Sequence, residues 1–417
     1  MKILLFGEVI SFRKNVSQTT ILINYKPYKL NIIGLINMTK LGMGMMRLPL
    51  LDENDFKSVD YEQVNKMVDE YMDEGFNHFD TAYIYHEGVS EDVFKKCVVE
   101  RYPRESFKIA TKLPLFVITE ESQLEPLFKD QLKKCGVDYF DYYMLHNVSG
   151  FTETAWKNVD LYSFIQKKKE EGYIKHIGLS THGNAEFLEE ILVEHPELEF
   201  VLLQINYLDW EDEGIESKKC LEVARKYNKP VMIMEPYKGG FLADVPDEAE
   251  KIMKDYNPDK SVVSWAMRFV ANLDDVCVVL TGASNLKQLK DNISEFKNAD
   301  PLNDEELDIL KKVSEIINSN ITVDCTKCRY CVDSCSSEID IAKIFDLYNK
   351  HKMLDTDEWT QLGNAYLNYS KLPGVGIASD CIECDLCIEE CPQEINIPEV
   401  LKDVAETFET EIYGFKN

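Results

Sequence analysis

Positive charge is scarce in this 417-residue chain: 46 lysines and arginines stand against 74 aspartates and glutamates, a net charge of −28. So acidic a surface repels phosphate backbones and anionic lipid, which argues against nucleic-acid binding and membrane-surface binding. Long apolar runs are also missing, and nothing approaches the ~20 residues needed to cross a bilayer. The start lacks the charged, apolar and small-residue order of a secretory leader. Together these absences point to a cytoplasmic protein with no membrane and no nucleic-acid partner. The only glycine pattern after an early strand, Gly42-x-Gly44, runs on to Arg47 without the third glycine of a dinucleotide fingerprint, which disfavours an open doubly wound sheet. No flavin fingerprint is found either.

Cysteine, by contrast, is plentiful. Eight of the twelve fall in two runs, Cys325, Cys328, Cys331, Cys335 and Cys381, Cys384, Cys387, Cys391, each spaced C-x-x-C-x-x-C-x-x-x-C. A two-residue gap turns successive thiolates toward a common centre, so one tight loop supplies three ligands of a four-iron cube and the fourth must come from elsewhere. In two-cluster ferredoxins the last cysteine of each run serves the other run's cube. That rule predicts Cys325, Cys328, Cys331 and Cys391 on one 4Fe-4S cluster and Cys381, Cys384, Cys387 and Cys335 on a second. Zinc ligands come instead as two separated pairs, which this interval does not offer. Cys97, Cys135, Cys220 and Cys277 lie in apolar or helical stretches, where an unpaired cysteine acts as a small hydrophobe. A reducing, low-oxygen compartment suits such clusters.

A chain of this length exceeds one ordinary core, and the confinement of the clustered cysteines to the last hundred residues places a boundary near Ile321. The expected division is an N-terminal extension at 1–37, a barrel at 38–320 and a dicluster domain at 321–417. In the extension, Lys2, Arg13, Lys14, Lys26 and Lys29 face a single acid, Glu8. Two readings stay open: alternating pieces such as Thr19 to Tyr25 form a hairpin, or translation begins at Met38.

From Lys40 onward, short β-rich segments alternate with helical patterns, as in βα units around a parallel sheet. Eight candidate strands follow in order: Lys40 to Met45, Asn77 to Ala82, Lys108 to Leu113, Phe140 to His146, His176 to Ser180, Val201 to Asn206, Pro230 to Glu235 and Val276 to Thr281. Between them lie helices such as Tyr61 to Glu74, with Val64, Met67, Val68 and Tyr71 at helical spacing. Eight βα units over about 280 residues predict a (β/α)8 TIM barrel, whose chemistry sits at the C-terminal strand ends. Asp80, Tyr85, Lys112 and His146 stand at or just after three of those ends.

The segments Phe79-Asp80-Thr81-Ala82-Tyr83-Ile84-Tyr85, Ala110-Thr111-Lys112 and Tyr143-Met144-Leu145-His146 resemble the signatures of the aldo-keto reductase family, in that family's order, over Thr39 to Asn318. The resemblance implies a catalytic tetrad of Asp80, Tyr85, Lys112 and His146 and hydride transfer between NADPH or NADH and a small carbonyl or alcohol substrate. Tyr85 would be the general acid, Lys112 would lower its pKa, Asp80 would hold the ammonium charged, and His146 would orient the carbonyl oxygen. It further implies Ser180, Thr181, Gln204 and Asn206 at the nicotinamide carboxamide, and Gln288 and Asn292 at the adenosine end. Barrel phosphate sites lie in the loops after strands seven and eight, here Lys238-Gly239-Gly240 and Gly282-Ala283-Ser284-Asn285. Where many members place basic residues for a 2′-phosphate, only Lys287 and Lys290 are near, which leaves NADH open beside NADPH. His86 and His182 could line the substrate pocket, and Trp210 reads equally as packing.

Helical periodicity at Ile341 to Tyr348 and Trp359 to Tyr369 makes the tail a mainly α-helical, ferredoxin-like domain built on an internal duplication. One mismatch marks it: Pro392 follows Cys391, whereas Ser336 follows Cys335. The whole chain resembles the reductase branch that carries a C-terminal dicluster ferredoxin domain. A nicotinamide passes two electrons as hydride and a cube accepts one, so the pairing poses a question of coupling. Three readings follow: a reductase whose clusters reach a ferredoxin or other electron carrier, an electron-transfer module in which the barrel is not catalytic, and a nucleotide-sensing regulatory subunit.

Overall fold

Short, mostly apolar segments, buried on both faces, form eight parallel strands: β1 Leu41–Gly44, β2 His78–Asp80, β3 Lys108–Pro114, β4 Phe140–His146, β5 Ile174–Thr181, β6 Phe200–Gln204, β7 Val231–Met234 and β8 Val276–Gly282. Each pairs with its sequence neighbour, and β8 returns to β1 through Val279 opposite Leu41 and Gly282 opposite Gly44, closing the barrel. All eight expected strands are present. β4 matches the sequence reading at both ends, β3 and β8 match it at their starts, and the other ends differ by one or two residues.

This computed structural model describes residues 2–5, 8–11, 41–52, 55–149, 152–212, 214–353, 366, 369 and 374–412. Met1–Asn37 and Met38–Asn417 are separate compact units. In the first, Lys2–Leu5 pairs antiparallel with Glu8–Ser11. The expected hairpin piece at Thr19 to Tyr25 and most of the expected helix at Trp359 to Tyr369 lie outside the described residues.

Register decides what the barrel encloses. Asp80 pairs with Ala110, Lys112 with Met144, Met144 with Gly178, and Ser180 with Leu202. Counting in twos along each strand, His78 and Asp80, Lys108 to Lys112, Tyr142 to His146, His176 to Ser180 and Phe200 to Gln204 share the inner face. The lower interior is an aromatic layer in which Tyr142 stacks on His176 at 5.1 Å and meets Phe200 edge-on at 5.5 Å. Gly178 makes room for it: a Cβ there would fall 2.6 Å from the Phe200 carbonyl oxygen and 2.7 Å from its ring. On the outer face, apolar residues such as Val64, Val68, Phe94, Phe128 and Ile165 bury the strands under the helices.

Two helices fix the ends of the molecule's machinery. α1, Leu286–Lys297, starts just past β8 and is capped by Asn285, whose side chain accepts from the Gln288 amide. α2, Asp304–Asn320, opens with a capping box of Asn303 and Glu306 and leads into the tail. There α3, Ile341–Met353, and α4, Ile397–Ala405, enclose a second core of Val323, Ile341, Phe345, Leu401 and Phe408. The duplication is visible in the backbone. Lys327, Arg329 and Glu338 in the first repeat and Glu383, Asp385 and Glu394 in the second all adopt positive φ at matching places. The Ser336 to Pro392 mismatch leaves the turn unchanged, since Glu338 N bonds Cys335 O at 3.0 Å and Glu394 N bonds Cys391 O at 3.1 Å. Among the described residues no helix is long and apolar enough to cross a membrane.

Gly178→Ala is expected to destabilise the protein by about 1–3 kcal/mol, because its methyl meets backbone as well as a flexible ring; denaturant melts at matched iron content measure it, and an unchanged midpoint would show that the layer yields freely.

Candidate functional site

The inward parity of β2, β3 and β4 delivers Asp80, Lys112 and His146 to one point at the C-terminal mouth, and the loop after β2 brings Tyr85 over them. Lys112 Nζ donates to Asp80 Oδ1 at 2.5 Å and to the Thr81 carbonyl at 2.9 Å. The same ammonium lies 4.8 Å from the centre of the Tyr85 ring, and that ring meets His146 edge-on at 5.9 Å. All four side chains are buried. The tetrad residues are therefore neighbours.

Burial governs the electrostatics of all four. Burial raises the Asp80 carboxyl and lowers the Lys112 ammonium, and each opposes the other's shift through the ion pair. Burial, then Asp80 and Glu235, hold the Tyr85 phenol well above its ordinary range, so it stays protonated and ready to donate. His146 is held well below its ordinary range by burial and by Lys112, so the imidazole is neutral. Its Nδ1 is buried with no hydrogen-bond partner among the described residues, whereas Nε2 shares a 3.2 Å hydrogen bond with the hydroxyl of Tyr330, a residue of the tail.

Lys112 is backed by a second buried network. Gln131 Nε2 donates to the Lys112 carbonyl at 3.0 Å and to Glu91 Oε1 at 2.8 Å, and Thr111 Oγ1 donates to the same oxygen at 2.8 Å. Burial pushes the Glu91 carboxyl up to about 7, against the hydrogen bonds from Gln131 and Thr111.

The expected nucleotide residues divide into two groups. Ser180 Oγ accepts the Asn147 amide at 2.9 Å, Thr181 Oγ1 donates to the Val148 carbonyl at 2.7 Å, and Asn206 Nδ2 donates to Asp209 Oδ2 at 2.6 Å and Glu235 O at 3.1 Å. These three brace loops. Gln204 faces the mouth, bonded to Asp209 Oδ2 at 2.7 Å and His182 Nδ1 at 2.9 Å. In the loop after β7 the amide of Gly239 donates to the Glu235 carboxylate at 2.5 Å, so that amide is engaged by an anion of the chain itself. Gly240 adopts φ +108 in the same turn. After β8, Gly282 lies against Arg47, the Ser284 amide donates to Gln288 Oε1 at 2.8 Å, Ala283 is buried, and Asn292 Nδ2 reaches the Gly282 carbonyl at 3.3 Å. Lys287 and Lys290 pair with Asp291 at 2.7 Å and Glu70 at 3.1 Å. His86 accepts the Leu48 amide at 3.1 Å and so braces the first loop, while Trp210 packs edge-on against Phe269.

In the tail, Cys325, Cys328, Cys331 and Cys391 line one small cavity, and Cys335, Cys381, Cys384 and Cys387 line another. This is the crosswise grouping that the spacing predicts. Among the described residues no group of three or more His, Cys, Asp or Glu is disposed to hold a metal ion. Cys97, Cys135 and Cys220 are buried. Between barrel and tail opens a cavity of about 420 Å³, bordered by Arg47, Tyr85, His86, Ser284, Cys328 and Tyr330. Sequence reasoning missed Arg47, Glu235, Tyr330 and Gln393 as parts of the mouth. For Tyr330 a signal existed: the matching residue of the second repeat is Leu386, so the hydroxyl is peculiar to one copy.

Removing one member of the buried pair, as in Lys112→Met, is expected to cost about 3–5 kcal/mol, with the Asp80→Asn, Lys112→Met double variant costing less than the two single changes together; denaturant melts check this. An unfolded glutamate loses its proton near its ordinary value of 4.5, whereas the folded Glu91 keeps it to about 7. The folded state binds more protons between those values, so stability falls as pH rises through that window. Glu91→Gln is expected to remove this decline and to be the more stable protein above about pH 7 in melts across the range.

The aldo/keto reductase family profile matches residues 40–315, and a 4Fe-4S dicluster domain profile matches residues 324–396. Among curated proteins the chain is 24% identical over 302 residues to an uncharacterized oxidoreductase, YqkF, of Bacillus subtilis, covering 66% of this chain and 92% of that one. Among solved structures, the holo form of the aldo-keto reductase AKR11C1 from Bacillus halodurans aligns with a TM-score of 0.54 at 22% identity, over 66% of this chain and 92% of that one. An aldo-keto reductase from Klebsiella pneumoniae, solved in complex with NADPH, aligns at 0.52 and 17%, over 66% and 91%. The chain belongs to the aldo/keto reductase family, in a form whose (β/α)8 barrel is followed by a 4Fe-4S dicluster domain.

Proposed function

We propose that the protein is an iron-sulfur oxidoreductase that reduces a small carbonyl, or oxidises the corresponding alcohol, at the barrel mouth, with two 4Fe-4S clusters in the tail serving an external one-electron carrier such as a ferredoxin. The observation that carries the reading is the convergence of Tyr85, Lys112, Asp80 and His146 from separate segments onto one buried point. A bound nicotinamide dinucleotide, NADH or NADPH, would supply hydride to the carbonyl carbon, and the clusters would carry electrons singly.

The chain's own residues then manage the oxygen. As negative charge grows on the carbonyl oxygen, the protonated Tyr85 donates its phenolic hydrogen, so the acid is most useful when held neutral until that moment. The phenolate left behind is stabilised by the Lys112 ammonium over its ring, whose own charge is kept by Asp80. The neutral His146 directs Nε2 at the same oxygen and fixes its angle of approach. Burial of all four excludes water, which strengthens each of these interactions. The buried Gln204 would hold the carboxamide, and the exposed Ser284 and Gln288 would border the adenosine side. Cys325, Cys328, Cys331 and Cys391 would hold the cluster nearer the barrel, and Cys381, Cys384, Cys387 and Cys335 the second, with Cys384 exposed.

Anaerobically purified protein is expected to contain about eight irons and eight sulfides per chain and to oxidise NADH or NADPH with members of a broad aldehyde and ketone panel. Tyr85→Phe is expected to lower kcat/KM by about a hundred- to ten-thousandfold with cofactor affinity retained. Turnover indifferent to Tyr85→Phe would favour instead an electron-transfer module or a nucleotide-sensing subunit.

A further inference from the structure

The tail touches the barrel at the groups that the proposed reaction needs. Tyr330, between Cys328 and Cys331, places its hydroxyl 3.2 Å from His146 Nε2, with the two rings edge-on at 6.1 Å. That nitrogen is the one that would meet the substrate's oxygen. Gln393, two residues after Cys391, pairs amide to amide with Gln204: Gln393 Nε2 donates to Gln204 Oε1 at 3.1 Å, and Gln204 Nε2 approaches Gln393 Oε1 at 3.4 Å. A nicotinamide carboxamide carries the same donor and acceptor. Thr326 seats its backbone on the loop after β7 so closely that a Cβ on Gly239 would fall 2.5 Å from the Thr326 carbonyl oxygen. That oxygen also accepts from Arg47 Nη2 at 2.7 Å, and Asp324 pairs with the buried Lys238 at 3.0 Å.

The repeat supplies an internal control. Thr326 and Tyr330 correspond to Ile382 and Leu386 in the second cysteine loop, which are 66% and 49% exposed. The same loop geometry thus carries a hydroxyl where it faces the barrel and aliphatic side chains where it does not. A loop needed only to wrap a cluster has no use for that difference.

We propose that the docked tail and a nicotinamide dinucleotide exclude one another at the barrel mouth: Tyr330 holds the carbonyl-oxygen position, Gln393 the carboxamide position, and Thr326 the face of the β7 loop. The inference rests on the nicotinamide reading given above and specifies its regulation. Dinucleotide binding requires the tail's first loop to withdraw, and docking of the tail requires the dinucleotide to leave. The two-electron and one-electron chemistries are thereby separated in time. By linkage, the apparent dissociation constant is the intrinsic one divided by the undocked fraction, so weakening the dock tightens nucleotide binding, and nucleotide loosens the dock by the same factor.

The test compares full-length protein carrying both clusters, anaerobically, with the Asp324→Asn, Gln393→Ala double variant at equal iron and sulfide content. NADPH and NADH are titrated separately by nicotinamide fluorescence, and hydrogen exchange is followed in the segment 324–331 with and without nucleotide. The expected result is at least about fivefold tighter binding by the double variant, with faster exchange of 324–331 in the wild type when nucleotide is present. Equal or weaker binding by the variant, or nucleotide protection of that segment, overturns the exclusion while leaving the nicotinamide reading in place. Failure of both proteins to bind either nucleotide overturns both.

Discussion

A buried ammonium and carboxylate 2.5 Å apart, Lys112 on Asp80, anchor the mouth of the barrel. Neither charge is tolerable there alone: burial works against both, and the ammonium is answered by Asp80 first, with Glu91 and the Thr81 carbonyl beside it. The consequence reaches the phenol beside it. Tyr85 feels burial and the acids Asp80 and Glu235, and it remains a neutral proton source. A tyrosine poised as phenolate would be the wrong species for reduction. In the proposed reaction the ammonium would act once the proton has gone, stabilising the anion left beside it.

That arrangement depends on barrel closure. The register of β2 against β3 and of β3 against β4 sets Asp80, Lys112 and His146 on one inner face, and a one-residue slip in any pair would turn a member outward. The aromatic layer beneath, with Gly178 admitting Phe200, closes the lower interior. Outside the strand, Gln131 ties the Lys112 carbonyl to Glu91. The cluster of Asp80, Lys112 and His146 is thus braced from below and from the side, and Tyr330 of the tail covers His146 from above.

Much of this was legible in the sequence, for identifiable reasons. Strands and helices announce themselves by period, so all eight βα units could be counted, and residues at strand ends such as Asp80 and His146 inherit their place from that count. Cysteine spacing is equally local, and the crosswise grouping of Cys391 with the first run follows from the duplication. The seat of the tail was not legible. Tyr330 meets His146 across 184 residues and Gln393 meets Gln204 across 189, and no local pattern encodes a contact between a loop and a distant barrel rim. The role of Glu235 was hidden for a related reason. Only the backbone of the turn, with Glu235 itself at φ +54, aims its carboxylate at the Gly239 amide. The Gly239 amide, one of those expected to face a phosphate, is bonded here to the Glu235 side chain.

The most direct measurement of whether the barrel performs hydride chemistry uses dinucleotide deuterated at the nicotinamide C4 position, a carbonyl substrate and anaerobic protein with both clusters. The account predicts that the label arrives on the carbinol carbon of the product. Product formed without label, at a rate set by a one-electron donor such as dithionite, would contradict it.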